Sequence, residues 1–263
     1  MQPKALILHV TGSNRDHDVA MAFSEAGAQP EIVHLNQLRR GDRLWQDYQI
    51  LVIPGGFSYA DALGAGKLLA LDLITYFVEE VSHFVESGKP VIGICNGFQA
   101  LVKAGILPEK QHPSAEPGNR VATLTHNASG QFECRWVTLK PVSQRCIWTR
   151  GLQNPIYCPV AHGEGNFYAT GPEIANRLFA AEQVALIYAF EDGAAANGTY
   201  PYNPNGSIQD IAGVSNAQGN VLGLMPHPEN HIYAYQHPRW TRNESNRSGL
   251  PLFENGVVYA KQM

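Results

Sequence analysis

Along the first half of the chain, short aliphatic runs alternate with stretches whose apolar residues recur every three to four positions. That is the arrangement of parallel strands joined by crossover helices. Lys4 to Val10 predicts a first strand, followed by a turn at Gly12-Ser13-Asn14 and a helix through Val19, Met21, Ala22 and Phe23 that stops near Gly27. Glu31 to Leu35 predicts a second strand and Gln49 to Ile53 a third, ended by Pro54-Gly55-Gly56. Between Lys67 and Ser87, Leu69, Leu73, Tyr76, Phe77, Val81, Phe84 and Val85 keep helical spacing and predict one helix stopped by Gly88 and Pro90. Pro90 to Ile94 is the next buried strand and runs into Cys95-Asn96-Gly97, with a short helical pattern at Phe98, Leu101 and Val102 behind it.

Beyond Pro108 the runs become shorter and more polar. Phe132 to Val142, Ile147 to Thr149 and Ile156 to Val160 predict antiparallel strands. A helix over Pro172 to Ala181 and strands at Val184 to Phe190, Ile211 to Ser215 and Val221 to Met225 return to the core, and the residues after Glu229 predict a covering segment with a short terminal helix. The expected fold is therefore α/β: an open, mostly parallel central sheet flanked by helices in a flavodoxin-like layout, with a smaller antiparallel sheet inserted after the helix that follows Cys95. Residues 1–263 are expected to form one domain.

Composition narrows the function classes. The 263 residues are 44% hydrophobic and 16% charged, which suits a sizeable core and excludes a disordered or coiled-coil chain. A net charge of −4 lacks the basic excess of a nucleic-acid binder. The apolar stretch Leu68 to Val85 is interrupted by Asp72, Glu79 and Glu80, so no membrane span is expected. Met1 to Val10 carries no leader pattern and reads as a cytoplasmic start. Four cysteines, at 95, 134, 146 and 158, lack both the density of a disulfide scaffold and the close pairs of a zinc site.

One of them sits on a strand-to-helix turn. Gly93-Ile94-Cys95-Asn96-Gly97 has the form of a nucleophile elbow with cysteine in place of serine, in which small flanking residues let the chain reverse and the helix amides face the sulfur. A lone cysteine is more often a small buried hydrophobe. Far downstream, directly after an apolar strand, Pro226-His227-Pro228-Glu229 supplies a base and a carboxylate to orient it, the prolines favouring an extended backbone that turns both side chains to one side. Pro54-Gly55-Gly56-Phe57 is a glycine loop at a strand end, able to offer the Gly56 N–H to an oxyanion beside that of Asn96. Gly64-Ala65-Gly66-Lys67 is no phosphate loop, since Asp61 and Leu68 stand where a glycine and a Ser/Thr are needed. His227 and His231 have helical metal-ligand spacing, but Pro228 disfavours the helix, and no metal is assigned.

With these residues in place, the chain resembles the class I, triad-type glutamine amidotransferases, and within them the family of glutaminase subunits of phosphoribosylformylglycinamidine synthases. The shared segments run in order: Gly12-Ser13-Asn14, Pro54-Gly55-Gly56-Phe57-Ser58-Tyr59, Gly93 to Gln99, Pro159-Val160-Ala161-His162-Gly163-Glu164-Gly165, Asn205-Gly206-Ser207, Asp210-Ile211-Ala212-Gly213 and Met225 to Glu229. The resemblance implies a catalytic triad of Cys95, His227 and Glu229, an oxyanion hole from the Gly56 and Asn96 amides, and glutamine held by Gln99 and the Gly163 backbone. It also implies hydrolysis of L-glutamine to glutamate and ammonia. The ammonia would pass to a larger synthase subunit that carries ATP and magnesium, with a small accessory subunit as a further partner. No cofactor is expected in this chain.

Three departures from the family pattern bear on the partner contacts. Asn230 stands where arginine is usual, Ala60 replaces a glycine, and Tyr200 to Pro204 with the long tail resemble the version fused to the synthase. Two other functions are weighed against the glutaminase. A Cys-elbow hydrolase of the peptidase or deglycase type would carry histidine after the cysteine, where Asn96 stands. A catalytically silent scaffold would have no use for the triad. His162 and Glu164 are left between glutamine binding and interface contact.

Overall fold

The computed structural model describes residues 2–109, 120–242 and 248–263. The site rests on β1 (Lys4–His9), β3 (Ile50–Ile53), β4 (Val91–Ile94) and β11 (Val221–Leu224), with β2 (Gln29–His34) outside β1. These strands are parallel, in the order β2-β1-β3-β4-β11. Every residue of β3, β4 and β11 is buried, which is why they read as unbroken apolar runs: helices cover both faces of the sheet. From β1 the chain winds one way to β2 and the other way to β3, so right-handed crossovers put the connecting helices on opposite faces. The loops leaving the carboxyl ends of β1, β3, β4 and β11 gather at that switch point.

On one face, α1 (Asp16–Glu25) packs against α7 (Leu250–Ala260), where Phe23 meets Phe253 and Trp148 edge-on. On the other, α3 (Lys67–Tyr76) packs against α5 (Asn96–Lys103). The long helix predicted over Lys67 to Ser87 is two, because Phe77 leaves helical geometry at φ −134° and is buried against Trp45 before α4 (Val78–Glu86) begins. Periodicity cannot register such a break, since both halves keep the same apolar spacing.

Past β11 the same sheet continues with β10 (Ile211–Ser215), β9 (Val184–Ala189), β6 (Glu133–Pro141) and β7 (Ile156–His162), all antiparallel. The small antiparallel sheet expected after the elbow helix is the pair β5 (Ala122–Thr125) and β8 (Asn166–Ala169). β6 and β7 belong to the main sheet because β6 pairs with β9, Thr138 opposite Ala189. Ile147 to Thr149 is a turn, contrary to the strand predicted there. Cys146 N–H donates to Ser143 Oγ and Thr149 Oγ1 donates to Ser143 O, which replaces a strand ladder with local side-chain bonds. Among the described residues the other α-helices are α2 (Leu35–Arg40) and α6 (Pro172–Ala180), and no helix there is long and apolar enough to cross a membrane.

Candidate active site

Register sets the position of Cys95. β4 and β11 align Ile94 with Leu224, and the Cys95 N–H donates to Leu224 O at 2.8 Å, so the chain leaves both strands at the same level. Cys95 then turns at φ 52° and ψ −106°, a conformation that L residues avoid and that tertiary packing must hold. The helix behind it lies directly on β3: a Cβ at Gly97 would stand 1.9 Å from Ile53 O, so only glycine lets α5 approach this closely. Cys95 is 5% exposed, and its Sγ lies 3.7 Å from Ala161 O on β7.

His227 follows β11. Its N–H donates to Pro159 O at 2.8 Å, tying it to β7, and its Nδ1 lies 2.7 Å from Glu229 Oε1. The other ring nitrogen is left for Cys95, whose sulfur lies near enough to act on the charge of the imidazole. The sequence predicted an extended His-Pro-Glu; instead, residues 228–230 form one 3₁₀ turn, and the carboxylate folds back onto the ring from that turn. Burial works against charge on His227, yet the Glu229 carboxylate and the Cys95 sulfur outweigh it and push the imidazole up to about 10. Beside Glu229, burial and the carboxylate's charge push the Cys158 thiol well up, so it stays protonated.

The glycine loop supplies the third side. Phe57 N–H donates to Gly12 O and Tyr59 N–H to Thr11 O, at 2.9 and 2.7 Å, which binds the loop after β3 to the exit of β1. A Cβ on Gly55 would stand 2.7 Å from His227 Cε1, so the loop passes against the imidazole itself. The N–H of Asn96, the first residue of α5, has no intrahelical acceptor. Gly56 and Cys95 line one cleft of about 150 Å³. After Ser58, three consecutive non-glycine residues, Tyr59, Ala60 and Asp61, are left-handed at φ 54°, 55° and 51°. Such residues cost about 1 kcal/mol or more each, so the surroundings must hold them. Those surroundings are the Asn96 side chain, which accepts from Ser58 N–H at 3.1 Å and donates to Asp61 Oδ1 at 2.9 Å.

The far wall is the end of β7 and the loop behind it, Ala161 to Gly165. Asn127 fixes this wall. Its Nδ2 donates to His162 O and Gln131 O, both at 2.8 Å, and its Oδ1 takes the Gly165 N–H at 3.0 Å and lies 3.1 Å from His162 Nδ1. Asn205 Nδ2 adds a bond to Gly165 O at 2.7 Å. With the Asn127 oxygen facing it, His162 carries its proton on Nδ1. Burial, then the nearby His227 charge, push His162 down to about 3, and it is neutral. Glu164 pairs with Lys103 at 3.4 Å and accepts from Ala65 N–H at 3.4 Å.

The cleft therefore brings together Cys95, Gly56, Gln99 and Gly163 of the residues named from sequence, with His227 and Glu229 behind the sulfur. Gln99 lines the cleft, but its amide is taken: Oε1 accepts from Asn96 Nδ2 at 3.1 Å and Nε2 donates to Glu164 O at 2.7 Å. Its evident work is to join the elbow to the far wall. Gly163 O likewise accepts from Asn127 N–H at 2.9 Å, leaving its own N–H for a ligand. Asp61, Asn127 and Asn205 were missed from sequence as site residues, since each lies in a polar loop with no periodicity to mark it. His231 follows the 3₁₀ turn rather than a helix, and no group of metal-binding side chains occurs among the described residues. Gly64 to Lys67 bounds α3, with Gly66 N–H donating to Asp61 Oδ1 at 3.2 Å.

Residues 2–260 match the family model of the CobB/CobQ-like glutamine amidotransferase domain. The chain is 54% identical over 268 residues to the phosphoribosylformylglycinamidine synthase subunit PurQ of Treponema denticola, covering 98% of this chain and 99% of the relative. It is 43% identical to the PurQ subunit of Dehalococcoides mccartyi, covering 99% and 98%. Among solved structures it resembles a chain of PurLQS from Thermotoga maritima at a TM-score of 0.73 and 31% identity, covering 98% of this chain and 99% of that one. Sequence, fold and elbow agree that this chain belongs to the glutamine amidotransferases and, within them, to the PurQ subunits of phosphoribosylformylglycinamidine synthase.

Proposed function

We propose that this chain hydrolyses the side-chain amide of L-glutamine through Cys95, His227 and Glu229, and delivers the ammonia to a separate phosphoribosylformylglycinamidine synthase subunit. The Cys95 thiolate attacks the carboxamide carbon, and the N–H groups of Gly56 and Asn96 receive the developing oxyanion. His227, charged between the sulfur and Glu229, gives its Nε2 proton to the departing ammonia and leaves a γ-glutamyl thioester. The neutral imidazole then takes a proton from water as the water attacks the thioester, and glutamate is released. Glu229 keeps the ring in one tautomer throughout. ATP and magnesium act on the synthase partner, where the amidine is made, and an accessory subunit completes the assembly.

The observation that carries this reading is the buried chain of contacts from Cys95 through His227 to Glu229 at the switch point of the sheet. A peptidase or deglycase reading has no histidine beside the elbow cysteine, and a scaffold has no need of a strained, cleft-facing thiol. The test is glutamate release from glutamine by the chain assembled with its synthase partner. Turnover that disappears in Cys95→Ala is expected, and turnover that survives it would refute the assignment.

A further inference from the structure

The triad explains how the carboxamide is broken, but it says nothing of how the other end of the substrate is recognised. An α-amino acid presents an ammonium group there, about 5 Å from the carboxamide carbon by standard bond lengths. Among the described residues, two ionisable carboxylates line the cleft, Asp61 and Glu164. Glu164 is already neutralised by Lys103 and anchored to Ala65 N–H. Asp61 has no ion-pair partner among the described residues; its Oδ1 accepts from Gly66 N–H and Asn96 Nδ2, and Oδ2 makes no hydrogen bond among them.

We propose that Asp61 is the residue that recognises the α-ammonium group of L-glutamine, its Oδ2 accepting from the ammonium while Oδ1 stays fixed to α5. Three observations converge on it. The carboxylate shares the cleft with Cys95 and is one hydrogen bond from Asn96, the residue next to the nucleophile, so the elbow and the ammonium site are held in a fixed relation. Its loop keeps three successive left-handed residues, and the left-handed turn brings the Asp61 side chain to Asn96. Burial raises its affinity for protons against the hydrogen bonds from Gly66 and Asn96, so a substrate cation would offset part of the cost of burying this carboxylate. Leu63 and Phe57, exposed on either side of Asp61, offer no alternative charge.

This assignment rests on the glutaminase reading, and its test separates the two. The complex with the synthase partner is assayed for hydrolysis of L-glutamine and of 4-carbamoylbutanoate, which has the carboxamide and carboxylate but no amino group. Asp61→Asn keeps an oxygen for Gly66 and Asn96 and removes only the charge. It is expected to lower kcat/KM for glutamine about 30-fold, chiefly through KM, the size of one charge-assisted hydrogen bond, and to change kcat/KM for the amine-free substrate less than about 3-fold. Equal losses on both substrates, or no loss on glutamine, would overturn the role of Asp61 while leaving the glutaminase reading intact. A wild-type complex that hydrolyses no glutamine would remove both.

Discussion

The two walls of the cleft each bury a histidine, and the two behave oppositely. His227, on the wall built by the parallel strands, is 3% exposed and faces a carboxylate and a thiol. His162, on the wall built by antiparallel β7, is 2% exposed and faces an amide oxygen. Burial alone would keep both neutral, so the partner decides: Glu229 and Cys95 hold a charge on one, and Asn127 holds a tautomer on the other. The wall that carries His227 stores charge; the opposite wall supplies fixed, neutral geometry.

The largest change expected comes from removing Cys95, the proposed nucleophile. Cys95→Ala should lower glutamate release by about 10⁵-fold, measured with the assembled synthase, because triad members act as a unit. Glu229→Gln should follow at about 10³-fold, since the ring loses both its orientation and the charge that keeps it protonated. Its imidazole titration, followed by NMR, should fall from the neighbourhood of 10 toward or below the ordinary histidine value. A variant that kept both the rate and the high titration would break the contrast between the walls.

Asn127→Asp is the complementary exchange. A carboxylate at His162 Nδ1 should make that ring titrate far above its present value of about 3, and the lost amide bonds to His162 O and Gln131 O should cost about 2 kcal/mol in denaturant unfolding. Smaller still is Gly165→Ala. Its Cβ would stand 2.4 Å from the His162 ring, and the far wall should lose about 1–3 kcal/mol while glutamine KM rises with little change in kcat.

The two histidines also give opposite pH signatures. His227 titrates higher when folded than the unfolded value near 6.5, so its stabilisation is complete below about pH 6.5 and is lost as pH rises toward 10. His162 titrates lower when folded, so its contribution is complete above about pH 6.5 and is lost as pH falls toward 3. In urea unfolding across pH, His162→Phe should flatten the acid limb and spare the alkaline one. Flattening on the alkaline side would contradict the assignment.

The same division describes what could be read from the sequence. The elbow wall follows local rules: an apolar strand, a tight turn, a helix, and a second strand followed closely by Pro226-His227, all visible in residue type and spacing. The far wall follows long-range ones. Nothing near Asn127 announces that its side chain will grip residues 131, 162 and 165, or that Asn205 will reach Gly165. Asp61 stood in the sequence only as the residue that spoils a phosphate loop, and its place in the cleft depends on a left-handed run that no propensity favours. The placement of β6 and β7 in the main sheet was hidden for the same reason, because alternation marks a strand without naming its neighbour.

One buried sulfur, and not the exposed thiol of Cys134, is expected to meet glutamine. Peptide mapping after reaction of the assembled enzyme with a chloroketone analogue of glutamine tests it most directly. Label on Cys95 alone is expected, slowed in proportion to added glutamine. Label on Cys134, or on Cys95 with no protection by glutamine, would contradict it.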